Sequence, residues 1–464
     1  MHIEPRLKYI IHLIFLLSQN RSPRFYASFL LLALLLLYIG SYQYRIYHPS
    51  VYNRPTSPSA SSEAFLKEWL EIDLIYPFDP SPVTQYCHRT TFWDPNLVFQ
   101  LVGGASGNVM EMRQEILDFL FFAMEAGASV MLPEIAPQGQ LDGVATASPT
   151  LGKLFDEQAL IERMGEACPQ MAIYMPQVGH AMAEALEGTY KPRSRRMDVS
   201  EWNTAELYRK DLWTWLRQNK RYKNGELALV NVEGVKGEVD TRSLPLEIRG
   251  RFGGLVRTAP ALREMAGKVV QALARRHPGL EIGPSTAAST KGFCGAEMSR
   301  IEGGGMEIAR DGTYDNLTAQ AKAFVDYALK RKLEVVYVTA KDDEDIDVVK
   351  ALAAHHAPHL LVVSKLDLLS QQDSGAVTQL MAAQQELIDI ELLRRASIFS
   401  GHLLGSASLS VALARNQWQV DRGRINDPWF VQHSEIGVVF DDGISRLLGR
   451  DEAEERTRPR GYWP

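Results

Sequence analysis

The chain has 464 residues, 45% of them hydrophobic and 23% charged, which is enough to bury a sizeable core in two or three domains. A net charge of −6 argues against nucleic acid as a main partner, since nucleic-acid binding leaves a basic footprint. No internal repeat of the kind that builds solenoids is present.

From Phe25 to Tyr44 there are 20 residues without a charge, with FLLLALLLLYIG at their centre. As a helix this run spans roughly 30 Å, one hydrocarbon core, and it is apolar on every face. Arg6, Lys8, Arg21 and Arg24 precede it and Arg45 follows, so its N-terminal end faces the cytosol. A cleaved signal peptide has a shorter apolar region and a small-residue cleavage site, and this run has neither. The expectation is a cytosolic tail over 1–24 and a transmembrane signal anchor over 25–44. The Pro-, Ser- and Thr-rich stretch HPSVYNRPTSPSASSE makes 45–63 an extended stem. The globule that follows then lies in the lumen of the Golgi or endoplasmic reticulum, on a single-pass type II membrane protein. Cys87, Cys168 and Cys294 allow one disulfide there and one leftover thiol, and spacing does not choose the pair. Asn316-Leu317-Thr318 is a glycosylation sequon.

In the globule, Asn96–Gly103 reads as a strand, Val109–Ala126 as a helix ended by Gly127, and Ala128–Leu132 as a buried strand. Strand, glycine loop, helix and strand make a βαβ unit and a parallel sheet. Glu157–Ala167 and Gln177–Leu186 read as helices, Glu226–Val235 as a strand and Ala259–Arg276 as an amphipathic helix. A second alternation follows: helices at Asn316–Lys330, Asp345–His356 and Gln379–Ala396, strands at Leu333–Thr339, His359–Ser364 and Ser397–Gly401, and a helix start at Ser406–Arg415. Two doubly wound domains, 64–245 and 246–464, with a cleft between them are the natural architecture.

Four junctions carry candidate chemistry. Gly103-Gly104-Ala105-Ser106-Gly107-Asn108 joins a strand to a helix and suits backbone approach to a phosphate or sugar; the competing reading is a tight turn with an Asn cap. Asp343-x-Asp345 has the spacing of a metal-binding acidic pair, but acidic residues also gather in a helix's first turn because they oppose its dipole, and we expect no metal there. Ser364-Lys365-Leu366-Asp367 mimics a guanine-reading loop, yet the chain has no GxxxxGK[ST] to hold the phosphates of a GTPase. Gly401 to Ser410, GHLLGSASLS, sets two glycines and three serines at a helix start, which suits a diphosphate without a metal.

The order of these parts resembles the GDP-fucose protein O-fucosyltransferase-like families in their fungal form. They share a type II anchor, a strand ending in G-x-x-G-N, a strand VYVT with an acidic turn, and SIFSG with a serine-rich helix start. The resemblance covers most of residues 96–450 and implies a GT-B-like fold, with two Rossmann-like halves. It implies inverting, metal-independent transfer of fucose from GDP-fucose to a protein or glycan acceptor, with no further cofactor. It places the nucleotide-sugar on Gly104, Gly107, Asn108, Asp342, Ser406, Ser408 and Ser410.

One departure bears on activity. Family members carry His-x-Arg at the end of the second half's first strand, where the Arg offsets charge on the leaving diphosphate. The equivalent segment here is Phe293-Cys294-Gly295-Ala296-Glu297-Met298-Ser299-Arg300. Arg300 is the candidate catalytic cation, one place late and so expected to face away, and Glu297 is expected to bring the wrong sign. Arg251 and Arg257 are candidate substitutes for it. The alternative to an active transferase is therefore an impaired relative that binds a nucleotide or a glycoprotein. A Rossmann oxidoreductase fits less well, because Glu134 lies too far beyond the glycine loop for a ribose carboxylate.

Overall fold

The computed structural model describes residues 78–135, 150–176, 185–192, 202–220, 222–223, 225–280, 282, 291–300, 316–420, 437–449 and 461–464. The expected anchor and stem lie outside the described residues. Among those described, no helix is long and apolar enough to cross a membrane.

The first half opens with α1 (Ser81–Cys87) and then the predicted unit: β1 (Asp94–Leu101), α2 (Val109–Ala126) and β2 (Ala128–Met131). Asn108 caps α2, accepting from the Glu111 N–H at 3.0 Å, and Gly127 ends it with φ +69°. Then come α3 (Leu151–Leu154), α4 (Glu157–Ala167), β3 (Ile173–Tyr174), β4 (Ala185–Tyr190), α5 (Trp202–Gln218) and β5 (Ala228–Val232). The strands form one sheet in the order β3-β2-β1-β5-β4, every adjacent pair parallel. The expectation of helix through Leu186 is corrected: Ala185–Tyr190 is an edge strand, its pairing to β5 irregular between Ala185 and Thr189. Cys87 and Cys168 form the disulfide that spacing left open, and Cys294 is a buried thiol.

The chain crosses through α6 (Leu246–Gly253) and α7 (Pro260–Arg276) to β6 (Cys294–Glu297). There follow α8 (Leu317–Lys330), β7 (Val335–Thr339), α9 (Asp343–His356), β8 (Leu361–Val363), α10 (Lys365–Leu368), α11 (Gln371–Thr378), α12 (Ala382–Leu393), β9 (Ile398–His402) and α13 (Ser406–Val420). A hairpin, β10 (Val438–Asp441) and β11 (Ser445–Leu448), ends the second sheet, whose order is β10-β11-β9-β6-β7-β8. All its pairs are parallel except β10 with β11. Strands β6 to β9 therefore end at one edge of the sheet, the edge where doubly wound sheets bind ligands.

Among the described residues the two halves share a core. One hydrophobic core runs from Phe119 and Phe252 in the first half to Leu392 and Phe399 in the second. Residues 461–464 also return to α2. The indole N–H of Trp463 donates to Asp118 Oδ1 at 2.8 Å, and Gln114 both accepts from the Trp463 N–H and donates to its carbonyl. These bonds tether the glycine-loop helix through its buried face.

Candidate functional site

A cleft of about 700 Å³ opens at the carboxyl ends of β7 and β8. Its walls include Arg300, Thr339 to Glu344, Ser364, Lys365, Gln385 and Asp389, all from the second half. It thus lies within one sheet's edge, whereas the sequence led us to expect a cleft between domains.

Arg300 sits beyond the last residue of β6, so strand alternation no longer governs its side chain. It reaches into this cleft, which corrects the expectation that it faces away. Its guanidinium grips Asp345 with Nε 2.9 Å from Oδ2 and Nη2 2.6 Å from Oδ1, and Asp342 stands 3.7 Å from Nη1. The Asp345 bonds hold Arg300 above its ordinary range. The acidic turn therefore has two physical roles. Asp343, Glu344 and Asp345 open α9 against its dipole, and buried Asp345 receives the arginine. Asp342 meets Arg300, so two of the candidate residues come together here.

Ser364-Lys365-Leu366-Asp367 is a capping box. Asp367 Oδ2 accepts from the Ser364 N–H at 2.8 Å and from its hydroxyl at 2.9 Å, and Lys350 reaches the same carboxylate. Lys365 turns inward to Asp389, whose other oxygen takes the Tyr337 hydroxyl at 2.6 Å. Burial drives the Tyr337 phenol well above its ordinary range.

The serine-rich helix start lies one strand away, beyond the cleft's named walls. Ser408 is fully buried; its hydroxyl donates to Glu297 Oε2 and accepts from the His402 N–H at 3.2 Å. Ser410 is fully buried as well, and its hydroxyl has no hydrogen-bond partner among the described residues. Ser406 opens α13, but its side chain lies outside the described residues. The packing is tight: a Cβ on Gly401 would come 2.1 Å from Ser408 Oγ, and one on Gly405 2.7 Å from Ser299 Oγ.

Glu297 behaves differently from the expectation. Burial raises its carboxyl to about 8; the Ser408 bond opposes this, and Glu386 and Asp389 reinforce it. Glu386, on α12, is itself pushed up to about 7, first by burial and then by Asp389. Glu297 therefore holds its proton to a higher pH than an exposed glutamate does.

The glycine loop of the first half is a separate feature. Gly103, Gly104 and Gly107 take φ of +75°, +74° and +96°, which L side chains rarely adopt. The Ser106 N–H donates to Glu115 Oε2 at 2.9 Å, so a carboxylate from the loop's own helix holds one of the donors expected for a phosphate. Lys236 pairs with Glu111 at 2.7 Å beside Gly107. Of the substitute cations, Arg257 is committed to Asp156, at 2.9 Å from Nε.

The structure thus joins Arg300 to Asp342, and Ser408 to Glu297, while Gly104, Gly107 and Asn108 belong to the first-half loop. Sequence reasoning missed Lys365, Glu386 and Asp389 as neighbours. Two of these lie inside an ordinary amphipathic helix, where nothing local distinguishes them.

No family model and no curated protein matches the sequence. Among solved structures the chain is similar to POFUT1 in complex with GDP, at 11% identity over 71% of this chain and 97% of that chain, with a TM-score of 0.41. It is similar to POFUT1 in complex with GDP-fucose, at 12% identity over 68% and 94%, TM-score 0.41. It is also similar to a point mutant of Arabidopsis thaliana FUT1 in complex with GDP, at 10% identity over 79% and 81%, TM-score 0.36.

Proposed function

We propose that the protein is a GT-B-like relative of the fucosyltransferases that binds a nucleotide-sugar, with GDP-fucose as the donor, and carries out transfer weakly or not at all. The observation that carries the binding half is the cleft at the carboxyl ends of adjacent parallel strands, the place where such sheets take nucleotides. The impaired half rests on Arg300. A leaving diphosphate gains negative charge as the glycosidic bond breaks, and the enzyme must meet it with a fixed cation or dipole. Arg300 already holds the Asp345 carboxylate with Asp342 alongside, and Lys365 holds Asp389. Losing one such electrostatic donor costs about 10²–10³ in rate.

The acceptor in this reading is a protein or glycan. The globule lies in the Golgi or endoplasmic reticulum lumen behind the 25–44 anchor, a placement favoured by the Cys87–Cys168 disulfide, which persists in oxidising compartments. Donor binding in this reading needs no divalent metal. The second acid of the Asp343-x-Asp345 pair is turned to Arg300 and is not left for a cation.

The test uses the detergent-solubilised chain. Calorimetric titration with GDP, GDP-fucose, UDP and NAD, with and without EDTA, should show GDP and GDP-fucose binding that EDTA leaves unchanged. Hydrolysis of GDP-fucose should be slow, and should rise at least tenfold when Glu297→His, Met298→Leu and Ser299→Arg are made together. Tight NAD binding, or no guanine nucleotide bound, overturns the nucleotide reading. Fast turnover by the natural sequence overturns only the impairment.

A further inference from the structure

We propose that Asp342 shields the outer edge of Arg300, its carboxylate standing where a phosphate would bind, and so sets how weakly the cleft takes a diphosphate. The inference deepens the nucleotide-binding reading above and rests on it. It gives Asp342 the opposite sense from the ligand contact that the resemblance implies.

Arg300 is fixed from behind. The backbone that leads to it is pinned. The Met298 N–H donates to the Thr339 carbonyl at 2.9 Å. The buried Gln320 amide accepts from the Ser299 N–H at 3.1 Å and donates to its carbonyl at 2.9 Å. A guanidinium has two edges that can grip an oxyanion, Nε with Nη2 and Nη1 with Nη2. Asp345, only 3% exposed, takes the first edge, at 2.9 Å from Nε and 2.6 Å from Nη2. The second edge is left at the cleft, where Arg300 forms part of the wall and is 49% exposed. The buried pair thus cancels the arginine's charge and aims its remaining donors outward.

Asp342 stands at that second edge and is held differently. Its Oδ2 lies 3.7 Å from Nη1, beyond hydrogen-bond distance, and its side chain makes no capping bond to α9. The side chain is 49% exposed. Rotation about its own bonds takes this carboxylate away from Arg300, a freedom that buried Asp345 lacks. While it stays, two carboxylates outweigh one guanidinium, and Asp343 and Glu344 line the same wall. Lys365 offers no relief, being held by Asp389. An incoming diphosphate must displace Asp342 or be repelled by it. With that charge gone, the Nη1–Nη2 edge matches two phosphate oxygens.

The test is calorimetric titration of the detergent-solubilised full chain with GDP, guanosine and inorganic pyrophosphate, at low and at high salt. Asp342→Asn removes the charge and keeps a residue suited to the helix start. It should bind GDP and pyrophosphate roughly fivefold more tightly, the scale of one unit charge at contact distance in water, and the gain should shrink at high salt. Guanosine has no phosphate, and its affinity should change by less than about twofold. Asp343→Asn makes the same charge change at a cleft residue with no ion pair to Arg300 among the described residues, and should gain less than about twofold. In an Arg300→Gln background the Asp342→Asn gain should vanish, since it acts through the arginine. Melting curves check that each variant folds; should Arg300→Gln fail, the guanosine and Asp343→Asn arms still decide. Equal gains for Asp342→Asn and Asp343→Asn, or for GDP and guanosine, overturn the proposal. So does weaker GDP binding by Asp342→Asn, which would make Asp342 a ligand contact; each of these leaves the nucleotide reading intact. A pyrophosphate gain without any binding of GDP sinks the guanine-nucleotide reading alone. If no ligand binds any of the proteins, both fall together.

Discussion

Two helices in this molecule start after a strand and a glycine turn, α2 in the first half and α13 in the second, and in both a carboxyl group occupies a donor of the turn. At α2 the carboxyl is Glu115, nine residues beyond the Ser106 it binds and on the helix that the loop itself opens. At α13 it is Glu297, on another strand and 111 residues away from Ser408. The first turn is largely exposed: Gly103, Ser106, Gly107 and Asn108 face solvent, and a Cβ on Gly103 would meet nothing within 4 Å. The second is buried and assembled from three strands and two helices. The same local grammar therefore makes an exposed turn in one place and a packed junction in the other, though burial raises the carboxyl of both Glu115 and Glu297. The difference lies in what each turn is buried against.

Removing the ionisable group from the buried junction has the largest expected effect. Glu297 rises from its ordinary 4.5 to about 8 in the folded chain. The folded state thus keeps a proton that the unfolded state has lost. The associated stability is fully present below about 4.5 and is lost as pH rises through about 8. Glu297→Gln lacks that loss, so its advantage over the natural chain should grow across this window and level off above it. One pKa unit is worth about 1.4 kcal/mol, which bounds the gain at about 5 kcal/mol. Thermal melts from pH 5 to 9 read it directly. Parallel pH profiles for the two proteins would show that Glu297 titrates normally in the folded chain.

Two alanine substitutions sharpen the comparison on steric grounds. In Gly401→Ala the new Cβ would lie 2.1 Å from Ser408 Oγ and 2.8 Å from its Cβ, inside a closed core. Overpacking of this kind costs about 1–3 kcal/mol. Adding Ser408→Ala should recover only part of that, since the Ser408 Cβ stays. In Gly103→Ala nothing is struck, and the cost is that of holding φ +75° without a glycine, about 1 kcal/mol. Urea denaturation of both variants should give the larger loss for Gly401→Ala. The reverse order would mean that the exposed loop, and not the junction, is the constrained element.

The contrast also explains what could be read from the sequence. The helix Val109–Ala126, with its Asn cap and its glycine stop, was legible to the residue, because cap, apolar spacing and terminator all sit inside one short window. The alternation of the second sheet was legible for the same reason. The hairpin β10–β11 was missed, since its strands have four residues each, too few for a periodicity to mark them. At the site, the acidic turn was correctly read as a helix start, but the pairing of Arg300 with Asp345 across 45 residues was not foreseeable. Nor was the state of Glu297. A glutamate at a strand end reads as a negative charge until its surroundings are known, and here those come from α12 and α13.

The smallest expected effect links the two regions. Lys236 and Glu111 form an ion pair at the exposed start of α2, and their side chains are 37% and 26% exposed. Pairs of this kind contribute about 0.2–1 kcal/mol and are screened by salt. Glu111 also retains the favourable field of the helix N-terminus without the lysine. Lys236→Ala should therefore lower stability by a few tenths of a kcal/mol, and by less at high ionic strength. Its more telling consequence is remote. Glu111 is one of the charges that raise Glu386 on α12, which stands at about 7. With Lys236 gone, Glu111 acts on Glu386 without its compensating cation, so Glu386 should titrate at a higher pH. Carboxyl carbon shifts followed by NMR through a pH titration measure that change in the natural chain and in the variant. An upward move of the Glu386 midpoint that shrinks in high salt would show that the glycine-loop helix and the second half's Glu386 share one field. No move at all would mean that the two helix starts, alike in sequence, are also electrostatically independent.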